Sequence, residues 1–74
     1  MKIELNLYAS LARSVSRTGP VEIGENTTIL SLLRRLGIPM EKVKIIFLNG
    51  LHASGEETLR DGDRVGIFPP VAGG

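Results

Sequence analysis

The sequence contains no cysteine and no tryptophan, and its only histidine is His52. The missing thiol removes a disulfide staple, a thiolate nucleophile and a cysteine-ligated metal in one step. A single histidine makes no metal centre, since such sites usually need three or four ligands. Beside the Asn49-Gly50 pair, His52 reads as a polar neighbour of a turn. An excess of one charge is lacking too: nine Lys and Arg are offset by eight Asp and Glu, the formal net charge is +1, and only Arg34 and Arg35 are adjacent basic residues. A nucleic-acid partner, whose phosphates call for a basic surface, is therefore not expected. No apolar run approaches the ~20 residues of a membrane span, so no membrane partner is expected either. The first residues read as a strand, not as a basic segment leading into an apolar signal stretch. Ser10, Ser14, Ser16, Ser31 and Ser54 sit in no nucleophile-elbow context. The expectation is a cytoplasmic protein that is not itself an enzyme, with no bound cofactor or metal.

What is present is enough for one small core. The 74 residues leave no room for a second domain, and 42% hydrophobic with 23% charged residues is ordinary for a folded chain. Lys2 to Tyr8 alternates apolar and polar with period two, predicting a strand that buries Ile3, Leu5 and Leu7 on one face. Leu11, Ala12 and Val15 then fall at helical spacing, and Gly19-Pro20 punctuates before Val21-Glu22-Ile23 alternates again. The clearest helix follows. Thr28 suits an N-cap, Ile29, Leu32, Leu33 and Leu36 fall on one helical stripe, Gly37 stands where a C′ glycine belongs, and Pro39 blocks continuation. Arg34 and Arg35 complement the dipole at its end.

Val43 to Leu48 is a continuous apolar run, predicting a strand in the middle of a sheet with Ile45 and Phe47 in the core. Asn49-Gly50 turns the chain into a brief strand, Leu51 to Ala53. After the polar loop around Gly55 and the Asp61-Gly62-Asp63 turn, Arg64 to Phe68 forms the last strand, with Val65 and Ile67 inward. Strand, strand, helix, strand, short strand, strand is an α+β order: a mixed sheet of four to five strands with one main helix packed on one face.

The end of the sequence, Phe68-Pro69-Pro70-Val71-Ala72-Gly73-Gly74, departs from the alternation. The prolines fix φ and donate no hydrogen bond, so the sheet is expected to stop and residues 71–74 to project from a domain of residues 1–70. A frayed end is the plain alternative. With nine glycines in 74, a final Gly-Gly arises by chance in roughly one or two per cent of such sequences, so it carries weight only with the residues before it.

Those residues are Leu7-Tyr8-Ala9, Asn49-Gly50, the run Leu59 to Val65 and the run Phe68 to Gly74. Together they resemble the ubiquitin-like β-grasp sulfur carriers, the family of the molybdopterin synthase small subunit and the thiamine-biosynthesis sulfur carrier. The resemblance implies that the Gly74 carboxylate, a poor electrophile, is adenylated by an ATP-using, E1-like activating enzyme and then converted to a thiocarboxylate. Phe68, Pro69, Pro70, Val71, Ala72 and Gly73 form the tail inserted into a partner, and glycines without Cβ let a narrow channel close around the backbone. The acceptor is the molybdopterin synthase large subunit or another sulfur-acceptor enzyme. The tail resembles the molybdopterin form, whereas the compact helix from Thr28 to Leu36 with its early Pro39 resembles the thiamine carrier. A ubiquitin-like interaction or tagging module without sulfur chemistry is the alternative of a different class.

Overall fold

The computed structural model describes residues 1–9, 11–12 and 19–70. Five strands and one helix account for most of them: β1 (Lys2–Leu7), β2 (Gly19–Glu22), α1 (Ile29–Arg35), a 3-10 turn (Met40–Lys42), β3 (Ile45–Leu48), β4 (Leu51–Ala53) and β5 (Arg64–Phe68). The strands make one mixed sheet in the order β2-β1-β5-β3-β4. Its centre is the parallel pair β1 and β5, with Leu5 opposite Val65 and Leu7 opposite Ile67. The other neighbours are antiparallel. This is the ubiquitin-like β-grasp arrangement, the α+β fold expected from the element order.

The helix forms where its caps place it. Thr28 Oγ1 accepts from the Ser31 N–H at 3.2 Å, and Ser31 Oγ accepts from the Thr28 N–H at 2.9 Å, a reciprocal capping box. The other donors of the first turn are taken by the loop that precedes β5: Ile29 N–H donates to the Glu57 carbonyl at 3.2 Å and Leu30 N–H to the Gly55 carbonyl at 2.9 Å. At the far end Gly37, with φ +76°, and Ile38 donate to the carbonyls of Arg34 and Leu33 at 3.1 and 3.0 Å. Those two bonds are the Schellman pattern, and the buried Ile38 supplies its hydrophobic contact.

Ile29, Leu32 and Leu33 of α1 pack on Ile3, Leu5, Leu7, Val21, Ile23, Val65 and Ile67 of the sheet side, and all are buried. Three expected core positions differ. Ile45 and Phe47 are only half-buried and lie outside the core cluster, because pairing of Ile46 with Ile67 points Ile46 under the helix and turns its neighbours outward. Leu36, the C-cap, closes the rim of the core without being enclosed by it. Leu11, Ile38 and Leu59, from irregular segments, are buried in addition. β3 does run between two strands, but its apolar continuity does not mean cover on both faces: α1 covers one face only. Leu11 and Ala12 are helical as expected, while Val15 lies outside the described residues. No described helix is long and apolar enough to cross a membrane.

Candidate functional site

The uncovered face of the sheet is where β5 ends and the prolines begin. Side chains alternate along a strand, so with Val65 and Ile67 under α1, Gly66 and Phe68 must face the other way. Phe68 is therefore no part of the core, although its place at the strand end allowed that expectation. Its ring lies parallel to that of Tyr8, with centroids 4.3 Å apart and planes 3° from parallel. At ordinary carbon contact spacing, such a pair must be offset by roughly 2 Å, which is the favoured stacking arrangement. Phe47 meets the same Phe68 ring edge-on, at 5.7 Å and 83°. His52, in register with Phe47 on β4, continues the row edge-on at 5.0 Å. The row thus spans β1, β5, β3 and β4.

Toward the other end of this face the character changes to polar. Glu4 and Arg64 stand in register on β1 and β5, and the Asn6 amide donates to Glu4 Oε2 at 3.1 Å. Between the polar and aromatic ends, Gly66 forms the floor of a shallow groove walled by Asn6, Tyr8, Phe47 and Phe68. A Cβ added at Gly66 would lie 3.4 Å from Tyr8 Cε2, so even one carbon would occupy the floor of the groove.

The turn at one end of this face is held by side chains. Asn49 donates from Nδ2 to Asp63 Oδ1 at 3.0 Å and accepts at Oδ1 from the Arg64 N–H at 2.9 Å. Asp63 Oδ2 also accepts from the Arg60 N–H at 2.8 Å, and Asp61 Oδ1 from the Lys2 N–H at 2.7 Å. The Asn-Gly turn and the Asp-Gly-Asp turn are thereby tied together where β5 starts. The backbone at the opposite end of β5 is fixed by the Tyr8 N–H donating to the Ile67 carbonyl at 3.1 Å and the Lys44 N–H to the Phe68 carbonyl at 2.8 Å. Pro69 and Pro70 have no N–H to continue the ladder.

Of the residues expected to form the tail, Phe68, Pro69 and Pro70 are described; Val71, Ala72, Gly73 and Gly74 lie outside the described residues. Among the described residues no group of three or more His, Cys, Asp or Glu side chains could hold a metal ion. Tyr8 and Phe47 were not anticipated as parts of this site. Period two was the available signal for Tyr8, since Leu5 and Leu7 face the core and Tyr8 must then face away.

The ThiS family model matches residues 6–74, from within β1 through the last glycine. The chain belongs to the ThiS family. The resemblance to the ubiquitin-like β-grasp sulfur carriers drawn from its motifs is thereby shown. Two structures from Haloferax volcanii are similar to this ThiS-family chain. SAMP1 is 27% identical, with all of both chains covered and a TM-score of 0.78. Small archaeal modifier protein 1 is 26% identical over 95% of this chain and 98% of that one, with a TM-score of 0.76. A putative molybdopterin converting factor, subunit 1, from Pyrococcus furiosus is 25% identical over 96% of this chain and 99% of that one, with a TM-score of 0.71. No curated protein matches this ThiS-family sequence.

Proposed function

We propose that this chain is a sulfur carrier whose Gly74 carboxylate is activated and thiolated by other proteins, and that the sulfur goes to a pterin precursor of the molybdenum or tungsten cofactor. In the activation step a carboxylate oxygen attacks the α-phosphorus of ATP, pyrophosphate leaves, and an acyl-adenylate forms. A sulfide equivalent from a donor then attacks the acyl carbon, AMP leaves, and the thiocarboxylate remains. The soft, anionic sulfur is the nucleophile for the acceptor step, and none of this needs a cysteine in the carrier. ATP is bound by the activating partner, not by this chain.

The observation that carries the reading is the family match running through residue 74, beyond the end of the folded sheet. Nothing in the core needs those residues: β5 ends at Phe68 and its last backbone acceptor is already paired with Lys44. The open face with Tyr8, Phe47 and Phe68 beside the tail exit suits a surface on which activating and acceptor enzymes dock in turn. The Pyrococcus furiosus likeness supports the pterin branch. A second reading, attachment to other proteins through an isopeptide bond, is favoured by the likeness to the Haloferax volcanii modifier and shares the adenylation step.

The test is to thiocarboxylate the chain with its activating enzyme, ATP and a sulfur donor, then add the acceptor large subunit with pterin precursor. The pterin reading expects the carrier to return to the carboxylate mass as dithiolene appears. Retention of sulfur on the carrier under those conditions, or higher-mass protein adducts in its place, would turn the proposal to another acceptor or to the tagging role.

A further inference from the structure

We infer that Tyr8, with Phe47, sets the direction in which residues 69–74 leave the sheet, and that Tyr8 is thus a positioning residue for chemistry at Gly74. The inference deepens the carrier reading and rests on it for its kinetic part only. Phe68 is the last residue of β5, and after it the chain has two residues without N–H donors. The only backbone bonds printed on the structure at this point come from Tyr8 and Lys44, to the carbonyls of Ile67 and Phe68. A strand held by so few bonds at its terminus frays readily. What opposes fraying here is the side-chain grip: the Phe68 ring has one face on Tyr8 at 4.3 Å and an edge contact with Phe47 at 5.7 Å.

The position of Tyr8 shows that this grip is not a by-product of the core. Its side chain is on the face away from α1 and the residue is 41% exposed, so it adds little to the buried core. It belongs to the residue immediately after β1, whose own N–H reaches β5, so ring and backbone hold the same two residues of β5. With the Phe68 peptide pinned and the φ of both prolines fixed, rotation about few bonds remains before residue 71. A small change in the Phe68 frame is therefore carried outward along the tail. Four extended residues beyond Pro70 span up to about 13–14 Å, so a tilt of roughly 10° at the base moves the acyl carbon by more than ~2 Å. Displacements of about 1 Å at a reacting centre already cost around a hundredfold.

This separates Tyr8 from a residue that only contacts a partner. A contact residue raises the KM of the carrier for its activating enzyme and leaves kcat alone; a residue that aims the tail lowers kcat at saturating carrier. The experiment compares the full chain with Tyr8→Ala and Tyr8→Phe in two assays. The first measures Cα–Hα residual dipolar couplings in the free protein. In the native chain and in Tyr8→Phe, the couplings of Phe68, Pro69 and Pro70 should fit the alignment of the sheet. In Tyr8→Ala those of Pro69 and Pro70 should fall by more than half while couplings in β1 to β4 stay as they were. The second measures thiocarboxylation by the cognate activating enzyme, where Tyr8→Ala should lose at least tenfold in kcat and Tyr8→Phe should retain it. Unchanged proline couplings in Tyr8→Ala, or a loss confined to KM, would overturn the positioning role. If the native chain takes up no sulfur, the carrier reading fails separately, and the couplings alone decide whether Tyr8 aims the tail.

Discussion

Replacing Gly55 by alanine perturbs the loop that caps α1, and its cost can be built from two parts. Gly55 is buried with φ +106°, a backbone region that L residues enter at a cost of about 1–3 kcal/mol. An added Cβ would also stand 2.7 Å from Leu30 Cγ and 2.9 Å from its Cδ2. Since the branch carbon is the nearest atom, the whole isobutyl group must swing away, and overpacking of this kind costs about 1–3 kcal/mol more. The sum is about 2–6 kcal/mol, a large share of the stability of so small a domain. At about 4–8 °C per kcal/mol for this chain length, the thermal midpoint should fall by at least about 8 °C. Urea or thermal unfolding followed by circular dichroism measures it. Repeating Gly55→Ala in a Leu30→Ala background removes the clash, so the additional cost there should shrink to the backbone part. A loss below about 1 kcal/mol in the native background, or an equal loss in both, would refute the assignment of strain to this loop.

Leu33→Ala should cost ~2–5 kcal/mol, because Leu33 is fully enclosed between helix and sheet; an unchanged unfolding midpoint would remove it from the core. Glu57 accepts from the Ser54 N–H at 2.9 Å and the Gly55 N–H at 2.8 Å. The Ser54 backbone bond is the largest of several hydrogen bonds that hold its carboxyl below the ordinary glutamate value. With the folded value depressed, its contribution is fully present above the unfolded value and is lost as the pH falls through the folded one. Denaturation midpoints measured down the acid limb should therefore drop less steeply in Glu57→Gln than in the native chain, and identical slopes would contradict the role given to Glu57.

The parts of the fold that were legible in the sequence were those with contrast. β1 alternates apolar with polar residues, and α1 carries both caps in its sequence, so their faces and ends followed from period and cap chemistry. The face of β3 did not follow. Ile45, Ile46, Phe47 and Leu48 are all apolar, so either parity satisfies the pattern, and the choice is made by pairing with β5, which the sequence of β3 alone does not encode. Leu59 is buried from a turn where no period exists to reveal it, whereas Ile38 carried a signal, since a hydrophobic residue after a C′ glycine commonly folds back on the helix. The site followed the same division. The strand end and the prolines were readable, and the outward direction of Phe68 was implicit in buried Val65 and Ile67; its stacking on Tyr8 depends on the parallel pairing of β1 with β5.

The carrier role depends on the acyl carbon of Gly74 being the group that reacts. Intact mass measured after incubation with ATP, the cognate activating enzyme and a sulfur donor tests this directly, with one chain ending at Gly74 and another extended by a single residue. An exposed end adds little to the core, so both chains should unfold alike. The extension displaces the acyl carbon by about 3.3–3.6 Å, far beyond the tolerance of a reacting centre. The native chain should gain the mass difference between sulfur and oxygen at its last residue, and the extended chain should not; an unmodified native chain, or equal thiolation of both, would contradict the carrier role.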